Sequence, residues 1–145
     1  MRKLLTVLIA LVALARPALA ADPVSTSWRN DIAAMGWDVV SFFIGEPARG
    51  SEAFVETFRG AEWRFSTEAN RLLFSVNPEA FLPEYGGYCA WAVGHDKLAR
   101  GNPEHWTLRD GRLFFNFSDR THRLWERERE RWIARGDANW PDVLD

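Results

Sequence analysis

The chain has 145 residues, 47% of them hydrophobic, with 18 basic against 20 acidic side chains, eight tryptophans and one cysteine. That length suits one domain with a real core and leaves no comfortable room for a second. A formal net charge of −2 argues against a nucleic-acid surface, which would be basic, and a single cysteine excludes an intramolecular disulfide.

The first 20 residues read as a signal peptide. Arg2 and Lys3 give a positive start, Leu4 to Ala15 an apolar stretch, and Ala18-Leu19-Ala20 the small residues that signal peptidase accepts, so the mature chain is expected to begin at Ala21. The stretch is shorter than the ~20 residues of a spanning helix and is closed by Arg16 and Pro17, so no stable membrane anchor is expected after cleavage. The expected location is periplasmic or secreted. The domain organisation is then 1–20 signal peptide and 21–145 one domain, and its net charge becomes −5, because Arg2, Lys3 and Arg16 leave and no acid does.

Along the domain the sequence shows no internal repeat and no low-complexity tract. Gly36 to Phe43 is β-branched and aromatic and reads as a strand, with Gly45 to Gly50 as the turn after it. Phe54 to Phe58 and Trp63 to Phe65 flank Arg59-Gly60-Ala61-Glu62 as a hairpin. Ser66 is placed as an N-cap, and Ala69, Leu72, Leu73 and Val76 recur at helical spacing until Pro78. Gly101-Asn102-Pro103 reads as a turn, and His105 to Leu108 with Leu113 to Phe117 as a second hairpin around Asp110-Gly111. A last helix is expected from Ser118 or Asp119 to about Arg135, stopped by Gly136, with Trp125 and Trp132 on one face and the alternating charges of Glu126 to Arg131 solvated. The fold class is α+β: short antiparallel β-hairpins packed against two or three helices in a single domain.

The segment Tyr85-Gly86-Gly87-Tyr88-Cys89-Ala90-Trp91 is the candidate site. Cys89 is the one soft nucleophile and soft metal ligand, and the glycine pair could bring backbone N–H groups beside it or let a ligand approach closely. The candidate ligand-binding residues are Tyr85, Gly86, Gly87, Tyr88, Cys89 and Trp91. Cys89, His95 and His105 are the candidate ligands for a transition metal, gathered from separate elements, although their spacing matches no zinc pattern. His122 is expected to be exposed. Against these stand two other readings: a thiol-based redox protein or enzyme using Cys89, and a structural or interaction domain in which Cys89 is inert packing.

Taken together, several motifs resemble the YHS domain family in its exported bacterial form. They are Gly36-Trp-Asp-Val-Val-Ser-Phe-Phe43, Gly50-Ser51, Trp63-Arg-Phe-Ser-Thr-Glu-Ala-Asn-Arg71, Pro78, Tyr85-Gly-Gly-Tyr-Cys-Ala90, Gly101-Asn-Pro-Glu-His-Trp106, Asp110-Gly-Arg-Leu113 and Ala138-Asn-Trp-Pro141. The resemblance implies a binding module of unknown ligand, a small molecule or a metal ion. Relatives have been proposed to bind heavy metals through paired cysteines, and YHS segments occur beside copper transporters and in some oxygenases. This chain has no second cysteine, and it carries Trp37 and Val39 where a Tyr and a Pro are usual.

Overall fold

Where the sequence reads a strand from Gly36 to Phe43, the chain forms a short helix, α1 (Val39–Phe43), and Asp38 is the reason. The structure is a computed structural model that describes residues 20–145, so the expected signal peptide lies outside the described residues apart from Ala20. Asp38 Oδ1 accepts from the Val40 and Ser41 N–H groups at 3.0 and 3.3 Å, capping the helix, while Oδ2 accepts from Ser66 N, Ser66 Oγ and Asn70 Nδ2 at 2.9, 2.6 and 2.7 Å. β-Branched residues do form a helix when cap and burial outweigh their local preference, and Val39, Val40 and Phe42 are wholly buried here.

The fold is α+β. Strands β1 (Ser51–Phe58) and β2 (Ala61–Phe65) form one antiparallel hairpin, and β3 (Asn102–Arg109) and β4 (Arg112–Asn116) form another. Both turns need two residues at positive φ, and the chain supplies Arg59-Gly60 and Asp110-Gly111, whose twist matches that of the strands. Among the described residues five α-helices pack around these hairpins, rather than the expected two or three: α1, α2 (Glu68–Val76), α3 (Ala90–Gly94), α4 (Asp119–Arg127) and α5 (Arg129–Asn139). Thr67, not Ser66, caps α2, because Ser66 is engaged with Asp38. Ser118 and Thr121 form a capping box on α4. The expected single last helix breaks at Glu128, and Gly136 lies inside α5 rather than ending it. Its missing side chain admits Tyr85, since a Cβ there would fall 2.5 Å from the Tyr85 hydroxyl oxygen. Gly101-Asn102-Pro103 is not a free turn: β3 begins at Asn102, paired with Asn116. Among the described residues no helix is long and apolar enough to cross a membrane.

The chain contains a structural repeat, although its sequence shows none. Helix, hairpin and helix recur 51 residues apart: α1 and α3 begin at 39 and 90, β1 and β3 at 51 and 102, β2 and β4 at 61 and 112, α2 and α4 at 68 and 119. The strand pairings repeat as well, including the register shift, with Ser51↔Phe65 and Val55↔Arg64 matched by Asn102↔Asn116 and Trp106↔Phe115. So does the backbone strain, with Ala34, Met35 and Gly36 at positive φ in the first unit and Tyr85, Gly86 and Gly87 in the second.

Two apolar clusters result, and β4 joins them. The first gathers Val39, Val40, Phe42, Trp63, Phe65 and Phe74, completed by Leu113 and Phe115 of β4. The second gathers Tyr85, Ala90, Val93, Phe114, Trp125 and Trp132. Alternate residues of a strand point to opposite faces, so β4 gives Leu113 and Phe115 to one cluster and Phe114 to the other, which is why it reads as a continuous apolar run. Trp125 and Trp132 share one cluster, as their spacing predicts.

Candidate functional site

The repeat places Cys89 where the first unit has Asp38. The Asp38 N–H donates to Ala48 O at 3.0 Å and the Cys89 N–H to Ala99 O at 2.8 Å; Ser66 N–H donates to the Asp38 carboxylate and Phe117 N–H to Cys89 Sγ at 3.2 Å. A thiol caps a helix poorly, and the second unit supplies the cap from another residue. Asn116 Oδ1 accepts the Trp91 N–H at 3.0 Å and the Cys89 S–H at 3.6 Å. Cys89 is 1% exposed and lines none of the clefts described below. The expected pairing of this thiol with the N–H groups of Gly86 and Gly87 is therefore replaced by one with Phe117.

The rest of the Tyr85–Trp91 segment is committed to packing. Tyr85 sits at φ +55, 3% exposed, between Phe114 and Trp140, and its hydroxyl donates to Asp137 Oδ1 at 2.9 Å. Burial first, then the hydrogen bond to Asp137, pushes the Tyr85 phenol well above its ordinary range. Burial works to raise the Asp137 carboxyl, but the Arg112 guanidinium at 2.7 Å and the Tyr85 hydroxyl more than offset it and hold it low. Gly86 meets the N-terminal segment, its O accepting Ser25 N–H at 2.8 Å, and a Cβ on it would lie 2.0 Å from Pro23 O. The buried Gly87, at φ +84, leaves its ideal Cβ position 3.3 Å from the Pro83 ring. Tyr88 donates its hydroxyl to Asp22 O at 2.8 Å, tying down the same segment. Trp91 and His95 form a ring cluster with Trp132, His95 stacked on Trp132 at 4.3 Å with Nδ1 2.7 Å from Trp91 O.

The three candidate metal ligands go to different places. Cys89 faces Asn116 and Phe117, His95 lies against Trp132, and His105 neighbours His122 at 6.2 Å between ring centroids. Among the described residues no group of three His, Cys, Asp or Glu side chains is placed to hold a metal ion. His122 is half-buried rather than exposed, its Nε2 2.9 Å from Thr107 Oγ1 with Glu126 at 3.5 Å. Desolvation, against the pull of Glu126, lowers its pKa.

With Cys89 enclosed, iodoacetamide should modify it only after denaturation. The native protein is expected to show no labelling over hours across neutral and mildly alkaline pH, and the same chain in urea to label stoichiometrically. Native labelling at a comparable rate would restore the reactive-thiol reading.

The clefts lie elsewhere. Tyr85 and Gly86 contribute to one of about 180 Å³ beside Arg59, Glu79 and Trp140, in which Arg59 already pairs with Glu79 at 2.7 Å and Glu84 with Arg112 at 2.9 Å. Another, of about 230 Å³, lies between Asn30, Met35, Arg64 and Arg100. A groove of about 610 Å³ runs along α2 and the one-turn helix Pro78–Phe81, lined by Ala69, Leu72, Leu73, Val76, Ala80 and Phe81. The apolar stripe that identifies α2 in the sequence is thus not the face that α2 buries. Phe74 and Asn70 face inward, while Leu72, Leu73 and Val76 are 49%, 51% and 86% exposed. The signal was present in the sequence, as apolar residues on two sides of one short helix.

No family model, curated protein or solved structure matches this chain.

Proposed function

We propose that the chain is an exported binding module of the YHS type whose docking surface is the α2 groove, with the Gly-Gly-Tyr-Cys segment as scaffold. The observation that carries this is the groove's apolar lining compared with its counterpart in the second unit. At the positions equivalent to Ala69, Leu72, Val76 and Ala80, 51 residues on, the chain has Arg120, Arg123, Arg127 and Arg131, all exposed, while Leu73 and Phe81 correspond to the half-buried Leu124 and the buried Trp132. The repeated fold leaves these four positions in water, so folding does not require them to be apolar. Leu72 and Leu73 each have about half of their surface still to bury and Val76 most of it, which is worth on the order of 3 kcal/mol together when covered. A volume of about 610 Å³ also falls within the span of ligand-binding clefts.

The naphthalene dye 1-anilinonaphthalene-8-sulfonate tests this. Dilute folded protein is expected to raise its fluorescence several-fold, Leu72→Glu to abolish the rise, and His95→Gln, at the other candidate site, to leave it intact. Equal signals from wild type and Leu72→Glu would place dye binding elsewhere and remove the proposal's support.

A further inference from the structure

We infer that the partner seated on the α2 groove is a second copy of this chain, the two α2 helices lying antiparallel across a twofold axis; this rests on the groove being a docking surface. Ala69, Leu72, Leu73 and Val76 stand at i, i+3, i+4 and i+7, the spacing of a helix–helix seam. Place the axis between Leu72 and Leu73, and antiparallel pairing sets Ala69 of one copy against Val76 of the other and Leu72 against Leu73. The smallest side chain of the seam thereby meets the most exposed large one, Val76 at 86%. The stripe is therefore complementary to itself in size as well as in spacing, as an isologous contact requires.

Charge agrees with the same register. The charged residues of α2 are Glu68 and Arg71, which pair with each other at 2.5 Å, and Arg71 also reaches Glu56. Across the axis Glu68 falls opposite Asn77, so no like charges meet. The second unit cannot associate in this way, because Arg120 of one copy would face Arg127 of the other, next to Arg123. One seam per chain closes on a dimer and does not propagate to a filament. The helix is only nine residues long, so the contact is smaller than the ~1,200 Å² of a stable interface, and the dimer forms weakly and reversibly.

Sedimentation equilibrium on the exported chain, from about 10 µM to about 1 mM to span a weak dimer, tests the inference. The weight-average mass is expected to rise toward twice that of the single chain, and to stay at one chain for Leu72→Glu. Val76→Ala is expected to weaken association about tenfold. The exchange Ala69→Val with Val76→Ala in one chain keeps a large residue opposite a small one and restores association to near the wild-type level. Each variant alters exposed positions, and an unchanged thermal midpoint confirms folding. A single-chain mass for wild type at the highest concentration overturns the second copy as partner, as does a double exchange no better than Val76→Ala alone. Dye binding by dilute protein that disappears in Leu72→Glu would in that case leave the docking surface standing, whereas absence of dye binding removes both.

Discussion

Replacing Asp38 with Ala is expected to cost on the order of 4 kcal/mol or more of folding stability. Five donors converge on this one wholly buried carboxylate: the N–H groups of Val40, Ser41 and Ser66, the Ser66 hydroxyl and the Asn70 amide. Removing the acceptor strands them in a closed space, and each buried donor left unpaired costs ~1–3 kcal/mol. A domain of this size has only ~5–15 kcal/mol in total. Asp38→Asn retains an oxygen for the helix cap while turning an N–H₂ toward the Ser66 and Asn70 donors, so its loss should fall between those of wild type and Asp38→Ala. Urea unfolding followed by tryptophan fluorescence measures both. A loss below ~1 kcal/mol for Asp38→Ala would mean that water enters and replaces the carboxylate.

Trp125→Ala is expected to cost ~3–5 kcal/mol, the range for emptying a large aromatic from a closed core. Trp125 is wholly buried against Phe114, their centroids 5.1 Å apart, and anchors α4 as Phe74 anchors α2 at the equivalent position. That equivalence fixes the control. The Trp125 indole N–H is buried without a partner among the described residues, so Trp125→Phe removes an unpaired donor along with some volume and should retain most of the stability. The surface control is Trp28→Ala, 81% exposed, which should stay within ~0.5 kcal/mol of wild type. Equal losses for Trp28→Ala and Trp125→Ala would contradict this division between surface and core.

Parts of this architecture are legible from local sequence because local chemistry decides them. Arg59-Gly60 and Asp110-Gly111 set the two hairpins, since a two-residue turn at positive φ admits few residue pairs. The first helix is not legible, because the Asp38 partners that commit Val39–Phe43 to a helix lie 28 and 32 residues away, at Ser66 and Asn70. The repeat is hidden for a related reason. Identity between the units is sparse: Gly36 and Gly87, Ala48-Arg49-Gly50 and Ala99-Arg100-Gly101, Gly60 and Gly111, Leu73 and Leu124, and Glu79 and Glu130. At Gly50 a Cβ would stand 2.5 Å from the Arg64 backbone, and at Gly101 2.2 Å from Gly87 O, so backbone approach holds these residues constant while side chains drift. The segment Tyr85–Trp91 is unusual for the same backbone reason. The sequence marks it as special without telling whether a ligand or the chain's own N-terminal segment makes the close approach. The groove was legible as a helix but not as a surface, because the inward face of α2 is decided by Phe74 meeting Trp63 and Phe65 across the hairpin.

The two-faced strand β4 also bears on when the molecule can fold. A chain made from its N-terminus completes β1, β2 and α2 well before Leu113 and Phe115 emerge, and until then the first apolar cluster lacks one of its walls. The early half therefore has the elements of a unit without the means to close it, and tight packing of either half waits on the last strand of the second hairpin.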